Sequence, residues 1–263
     1  MAETTLPHPA PLAKPVTAVS RAAAILRYLG RSGAPIGVNR IARDLDLVPS
    51  TALHILRTLA HEDLVVFDAA SKRYHLGTGI LGIARDMLQR SGYVQAVQGE
   101  LDDIAAAFDV AVMAVELDGR DHMVVVHLAR ARSDLSIQVN IGSRFPALIS
   151  ATGRCVAAQG DWSRAELARR FRRLHWQNPP EFETWLAEVA AAGRDGYAVD
   201  DGNYIRGVIV LAAPIEVPAW RPSRSLAAVG LAGQLDAGQR RRLADRLRAA
   251  AARISRDPAL DDT

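Results

Sequence analysis

The chain has 263 residues, of which 49% are hydrophobic and 23% charged, a composition typical of a folded protein with room for two modest domains. Its single cysteine, Cys155, excludes an intramolecular disulfide and a cysteine-cluster zinc site, and an aromatic content of 5% argues against a surface that stacks single-stranded bases. The formal net charge of +3 arises within residues 1–80, where nine Lys and Arg face six Asp and Glu. That excess favours a polyanion-binding N-terminal domain, although an ordinary solvated surface would have the same balance.

The first fifteen residues contain four prolines and no hydrophobic core, so we predict a disordered arm at 1–15 and no signal peptide. Charged residues interrupt every apolar run before it reaches the length of a membrane span. These features predict a cytoplasmic protein.

Two helices are predicted next. Apolar residues recur at helical spacing from Val19 to Leu29, and this first helix is expected to end at Ser32-Gly33. A shorter helix is predicted from about Val38 to Leu45, with a tight connection after it.

A third helix and a hairpin complete the N-terminal pattern. The helix is predicted from Ser50 to His61, with Pro49 at its start and a buried stripe of Leu53, Leu56 and Leu59. An apolar strand at 64–67, a turn at 68–72 and a return strand at 73–76 follow. Three helices and a hairpin predict a winged helix-turn-helix over residues 16–78.

The outward side chains of the third helix are small or basic, as a helix that enters a DNA major groove requires. They are Ser50, Thr51, His54, Arg57 and Thr58. Lys72 and Arg73, at the hairpin, suit phosphate or minor-groove contacts. These seven residues are the predicted DNA-binding set; a helix that only packs within a small helical domain is the alternative.

This region resembles the DNA-binding domain of the IclR family of bacterial transcriptional regulators. The matching segments, in order, are Val19-Ser20-Arg21-Ala22, Ile41 to Leu47, Ser50-Thr51, Thr58-Leu59 and Arg73-Tyr74-His75-Leu76-Gly77. The chain departs from the family where Pro49 replaces a basic residue and His54 an arginine, so the operator sequence cannot be carried over from relatives.

A connector helix is predicted over residues 79–92. Its broad apolar face includes Ile80, Leu81, Ile83, Ala84, Met87 and Leu88. We interpret this face as a contact between two subunits, as the resemblance implies; packing on the same chain is the alternative.

The C-terminal part, residues 93–256, is predicted to be an α+β domain with helices on one side of a sheet. Helices are expected at 94–108, 152–159, 163–173, 181–192 and 237–255, and strands at 111–117, 122–128, 135–139, 208–215 and 226–231. Residues 257–263 form a tail.

This half also resembles the IclR family, whose sensor domain is GAF-like. The matching segments are Gly142 to Pro146, Ser150 to Arg154, Gly196 to Asp201 and Leu211 to Ile215. Carried over by position, the resemblance implies an effector pocket formed by Ala151, Thr152, Gly153, Asp200, Val210, Gly230 and Ala232.

The residue types in that set suggest an organic acid as effector. Amides at a helix start near Thr152 and Gly153 would hold a carboxylate, and Asp200 would be a polar anchor. Val210, Gly230 and Ala232 stand where some relatives have polar side chains, which favours an aromatic acid over a small hydroxy- or oxo-acid.

Two other classes of function remain open. An enzyme could use Cys155 as nucleophile with His122, His127 or His175 as base, but the apolar neighbours of Cys155 favour an inert buried thiol. A winged helix can also act through protein or RNA contacts. The arginines at 240–242, 246 and 248 are interpreted as a solvated helix face, because Asp236 and Asp245 interleave with them.

The resulting prediction is a non-enzymatic DNA-binding regulator without cofactor or metal. The expected partners are duplex operator DNA, a small-molecule effector, a second copy in a homodimer or a dimer of dimers, and RNA polymerase as a further candidate. Paired recognition helices predict a pseudo-palindromic operator.

Overall fold

A computed structural model describes residues 16–90, 92–119, 121–130, 139–216 and 224–257, with only the backbone described at 86–90 and 92. The predicted arm, almost all of the strand predicted at 135–139, and the tail beyond Asp257 lie outside these residues. The chain divides into two compact units between Met87 and Leu88. No helix of the described part is long and apolar enough to cross a membrane.

The N-terminal unit contains three helices and a small antiparallel sheet. Its elements are α1 (Thr17–Ser32), β1 (Ile36–Gly37), α2 (Val38–Asp44), α3 (Pro49–His61), β2 (Val65–Asp68) and β3 (Arg73–Leu76). The strand order is β1-β3-β2, because Ile36 pairs with Tyr74 beside the hairpin. The helices and the hairpin agree with the prediction. The two-residue β1 was missed, since so short a strand leaves no period in the sequence.

The core of this unit lies between the helices and the sheet. Ile25, Ile41 and Leu56 are fully buried within it, and Tyr74 covers it from β3. The predicted stripe on α1 extends too far, because Val19 is 66% exposed in the first turns of the helix. Those turns reach beyond the residues that α2, α3 and the sheet can cover.

The second unit follows α4 (Gly79–Arg90), which crosses the boundary between the units. Its elements are α5 (Gly92–Phe108), β4 (Ala111–Asp118), β5 (His122–Ala129), β6 (Arg144–Pro146), α6 (Ser150–Gln159), α7 (Arg164–Phe171), α8 (Phe182–Asp195), β7 (Ala198–Asp201), β8 (Val208–Ile215), β9 (Arg224–Leu231) and α9 (Ala237–Ile254). The strands form one antiparallel sheet in the order β6-β5-β4-β9-β8-β7.

Helices cover both faces of this sheet, so the prediction of helices on one side was wrong. One hydrophobic core joins α5 and α9 to a face of the sheet that includes Ile209 and Leu211. A second core joins α6, α7 and α8 to the other face, which includes Val210 and Ala212. Because β8 is buried on both faces, it is a continuous apolar run without the alternation that would reveal a one-sided sheet.

Candidate DNA-binding and effector-binding sites

The predicted DNA-reading face of α3 is open to solvent. Ser50, His54, Arg57 and Thr58 are exposed, whereas Thr51 is half-buried. The opposite face of the helix is anchored by Ala52, Leu56 and Leu59, which are all buried. The helix contains no acidic residue between Pro49 and His61. An exposed, acid-free helix face can approach a polyanion without charge repulsion.

The turn before α3 sets the direction in which that face points. Asp46 adopts a positive φ of 52°, and the amide of Leu47 donates to the carbonyl of Ala42 at 2.7 Å. Pro49 occupies the first turn, where no amide donor is needed. The connection therefore holds α2 and α3 in a compact helix-turn-helix.

The tip of the hairpin is stabilised by Asp68. Its carboxylate accepts hydrogen bonds from the amide of Ala70 at 3.0 Å and from the hydroxyl of Ser71. These bonds, the Ser71 hydroxyl first, hold the pKa of Asp68 below its ordinary value. Lys72 takes a positive φ of 55° at this tip, and both Lys72 and Arg73 are exposed. The turn thus presents the two predicted cations to solvent.

Two further cations of this unit form ion pairs with a carboxylate of the same unit. Arg40 and Arg43 both contact Asp44, at 3.5 and 3.1 Å. The hydroxyl of Tyr28 also donates to Asp44, and these contacts, the Tyr28 bond first, lower the pKa of the carboxyl group. The Tyr28–Asp44 hydrogen bond ties α1 to α2.

The predicted effector segment begins α6. Ser150 is the first helical residue, with a positive φ of 59°, and Ser150, Ala151 and Thr152 are all buried. The amides of the first turn have no acceptor within the helix. The amide of Gly153 is not among them, because it donates to the carbonyl of Ile149 at 2.9 Å.

Gly153 has a packing role instead. A Cβ at this position would lie 2.0 Å from the carbonyl carbon of Leu148. Real side chains do not approach backbone so closely, so only glycine lets α6 pack against the segment that precedes it.

Asp200 lies on β7 and is 1% exposed. Its carboxylate accepts from the amide of Asn203 at 2.8 Å and more weakly from the amide of Tyr204 at 3.3 Å. Its Oδ2 lies 3.9 Å from Nη1 of Arg154. The predicted anchor is therefore an acceptor that the protein already holds in place.

The register of the sheet decides which of the other predicted residues accompany Asp200. Asp200 pairs with Val210, and Val210 pairs with Val229, so these three side chains share one face. Gly230 belongs to the opposite face, where an added Cβ would lie 3.1 Å from the side chain of Val110. The structure thus brings Val229 beside Val210 in place of Gly230.

Ala232 lies beyond the end of β9. Its amide donates to the carbonyl of Gly207 at 2.9 Å, and its carbonyl accepts from Arg240 at 2.8 Å. Ala232 thus belongs to a turn beside the Gly207 loop and is not on the face that carries Asp200 and Val210.

Arg154 was not among the predicted site residues, although it contacts the carbonyl of Ser150 and lies 3.9 Å from Asp200. Its guanidinium is buried and donates to Glu188 at 2.6 and 2.8 Å, to the carbonyl of Ser150 at 3.0 Å and to Asn203 at 3.0 Å. Trp176 covers it, with the ring centroid 6.0 Å from Cζ. The sequence signal that could have indicated this role is a lone arginine within an otherwise small and apolar helix.

The 174–181 loop and the loop that follows Asp200 are joined by main-chain hydrogen bonds. The amide of Gln177 donates to Tyr204, at 3.2 Å, and the amide of Asn178 donates to Asn203, at 3.0 Å. Asn203 therefore contacts Asp200, Arg154 and the 174–181 loop, and it connects α6 and β7 to that loop.

Cys155 lies on the neighbouring part of α6 and is fully buried. Burial raises the pKa of its thiol to about 12, so the thiolate needed for nucleophilic attack is scarce at neutral pH. The arrangement favours the inert thiol that the sequence predicted.

Some of the arginines of α9 form ion pairs with acidic side chains. Arg240 pairs with Asp201 at 2.6 Å, and Arg246 lies 3.8 Å from Glu100. These pairs support the interpretation of a solvated, charge-compensated helix face.

Comparison with known proteins identifies the family. The family described as Bacterial transcriptional regulator IclR C-terminal matches residues 85–256, which is more than half of the chain, and the IclR helix-turn-helix domain matches residues 18–69. The chain belongs to the IclR family. It is therefore an IclR-family transcriptional regulator with a helix-turn-helix DNA-binding domain and a C-terminal effector domain.

Individual IclR relatives agree with this assignment. The Glycerol operon regulatory protein of Streptomyces coelicolor is 29% identical over 86% of this chain and 87% of its own length. An IclR regulator from Alicyclobacillus acidocaldarius shares the fold, with a TM-score of 0.82 and 24% identity over 92% of this chain and 98% of the other. An IclR homologue from Microbacterium hydrocarbonoxydans, complexed with 4-hydroxybenzoate, has a TM-score of 0.78 and 16% identity over 94% and 100% of the two chains.

Proposed function

We propose that the protein binds duplex operator DNA through α3 and the β2–β3 hairpin, and that an organic acid in the C-terminal domain modulates this binding. The exposed, acid-free face of α3 is the observation that carries the DNA half of the proposal. Ser50, His54 and Arg57 supply hydroxyl, imidazole and guanidinium groups for base edges, and Lys72 and Arg73 supply cations for the phosphate backbone.

The effector half rests on the composition of the site around α6. Backbone amides of the first turn suit a carboxylate, while Val210, Val229 and Ala212 form an apolar face of the sheet beside Asp200. This combination favours an acid with an apolar body, and the binding of 4-hydroxybenzoate by a family member makes aromatic acids the first class to test.

A homodimer is the proposed working unit, and a dimer of dimers is its proposed extension. Leu81 and Ile83 of α4 are 67% and 63% exposed, as are Val16 and Val19 near the start of α1 at 67% and 66%. Apolar side chains this open suit a contact between two copies. Two recognition helices related by a two-fold axis would read a pseudo-palindromic operator. A contact with RNA polymerase is a further proposal.

The first experiment is a gel shift with the DNA upstream of the protein's own gene, run at several salt concentrations with and without benzoate and 4-hydroxybenzoate. A sequence-specific complex that weakens steeply with salt would support the DNA half. A change in that complex on addition of an acid would support the effector half. Specific binding to RNA or protein with no duplex binding would favour the alternative of a winged helix that acts through other contacts.

A further inference from the structure

An apolar side chain, Val48, lies directly before α3 and is 64% exposed, although folded proteins usually bury valine. The other apolar residue of this turn differs, because Leu47 packs against the core of the N-terminal unit. Val48, Pro49 and Ser50 form a continuous exposed stretch that leads into the proposed DNA-reading face. The isopropyl group of Val48 therefore adjoins that face and is not part of the core.

The backbone of Val48 is fixed on both sides. Its carbonyl accepts from the amide of Ala52 at 3.0 Å, and the preceding amide, that of Leu47, donates to Ala42 at 2.7 Å. Pro49 restricts the residue before it to extended backbone, which Val48 adopts with φ of −67° and ψ of 132°. Branching at Cβ also restricts χ1 of a valine. Val48 therefore loses little conformational entropy when its side chain contacts a partner.

The surroundings of Val48 favour DNA over a protein as that partner. The α3 helix itself exposes no large apolar side chain, and its exposed groups include those of Ser50, His54 and Arg57. A protein-docking face would need a contiguous apolar patch of several hundred Å², on the order of the patches found at known interfaces. A single apolar side chain beside hydroxyl and cationic groups suits a DNA groove, where most of the exposed edge is polar.

The chemistry of the major groove indicates which feature of DNA this side chain would contact. Every base pair presents hydrogen-bond donors or acceptors there, and thymine adds a C5-methyl group. Residues near the start of a recognition helix are the ones that approach base edges. The side chain of Val48 has neither a donor nor an acceptor, so the thymine methyl group is the feature that it can recognise.

We propose that Val48 is a specificity-determining residue of the DNA interface, whose isopropyl group contacts the C5-methyl group of a thymine in each half of the operator. This inference rests on the proposed function. It adds an apolar contact to the hydrogen-bonding side chains of α3 and so names one base that the protein selects. In a homodimer the contact occurs twice, at positions related by the two-fold symmetry of the operator.

The test removes the methyl group from the DNA and the isopropyl group from the protein. The full chain first selects its operator from random duplexes, and thymines are then replaced by deoxyuridine, one symmetric pair at a time. Each replacement removes only the C5-methyl group and keeps the base pairing. Fluorescence anisotropy measures the affinities at a salt concentration low enough for every complex to form.

We expect one symmetric pair of replacements to weaken binding by the wild-type protein about 16-fold, which is about fourfold for each buried methyl group. Val48→Ala should bind the thymine and deoxyuridine operators with equal affinity. Val48→Ser should do the same, and because serine is a preferred N-cap residue, a weaker helix start cannot explain its result. Ile141→Ala, at a 53% exposed isoleucine of the C-terminal domain, is the control and should keep the wild-type ratio.

The outcomes separate this inference from the proposed function. Failure of the wild-type protein to select any duplex would overturn the DNA half of the proposed function and this inference with it. A selected operator in which no replacement weakens wild-type binding would overturn the role of Val48 alone. So would a loss on replacement that is as large in the two Val48 variants as in the wild type. A loss that disappears only in the Val48 variants supports the inference.

Discussion

Arg57 is an exposed cation of α3, the proposed recognition helix, on a face that no acidic residue shares. We expect Arg57→Ala to weaken operator binding by about 1–3 kcal/mol for a base contact, or to reduce the salt slope by about one for a phosphate contact. Fluorescence anisotropy over a salt series distinguishes the two. Arg172→Ala, at an exposed arginine of the C-terminal domain, is the control. Unchanged operator affinity in Arg57→Ala would remove α3 from the DNA interface.

Gly153 offers a second test at the scale of one residue. Its missing Cβ leaves room for the backbone of Leu148, which would otherwise lie 2.0 Å away. We expect Gly153→Ala to destabilise the C-terminal domain by about 1–3 kcal/mol through overpacking. Gly193→Ala on α8 is the matched control, because its Cβ would meet Ala158 at an ordinary 3.7 Å and should stabilise the helix by up to about 1 kcal/mol. Urea unfolding measures both, and equal effects would contradict the packing role.

At the scale of the elements, α4 exposes two large apolar side chains among its described residues. Leu81 and Ile83 are more than 60% exposed. We expect the double substitution of Leu81→Glu and Ile83→Glu to shift the protein towards monomer in sedimentation experiments. Operator binding should weaken as well, because the two DNA-binding domains of a dimer would bind one operator together. Ile141→Glu, at a 53% exposed isoleucine of the C-terminal domain, tests whether any added acid has this effect. A wild-type monomer, or an unchanged mass in the α4 variant, would refute the dimer contact.

At the scale of the whole molecule, the proposed function couples operator binding to acid binding. If an acid changes operator affinity by some factor, the operator must change acid affinity by the same factor, because the two binding free energies are linked. We expect a coupling of about 1–3 kcal/mol, measured by titrating the acid into free protein and into the operator complex. Equal acid affinities in the two titrations would mean that the C-terminal site does not regulate DNA binding.

The sequence by itself determined the family and the longer elements, because both depend on local patterns, whereas the short strands β1, β6 and β7 were missed. Helical spacing and turn residues located α3 and the hairpin, and the apolar run 208–215 predicted β8 with its observed ends. The order of the motifs along the chain was enough to indicate the IclR resemblance that the family comparison confirmed.

Only the tertiary structure decided which side chains meet. Helices on both faces of the sheet, Val229 beside Val210, and the packing of Gly153 all depend on pairing between distant segments. A shift of one residue along a strand moves a side chain to the other face, which no local pattern in a doubly buried strand reveals. The contacts of Arg154 could not be predicted from the sequence for the same reason. Its partners Glu188 and Asn203 lie 34 and 49 residues away along the chain and come together only when the domain folds.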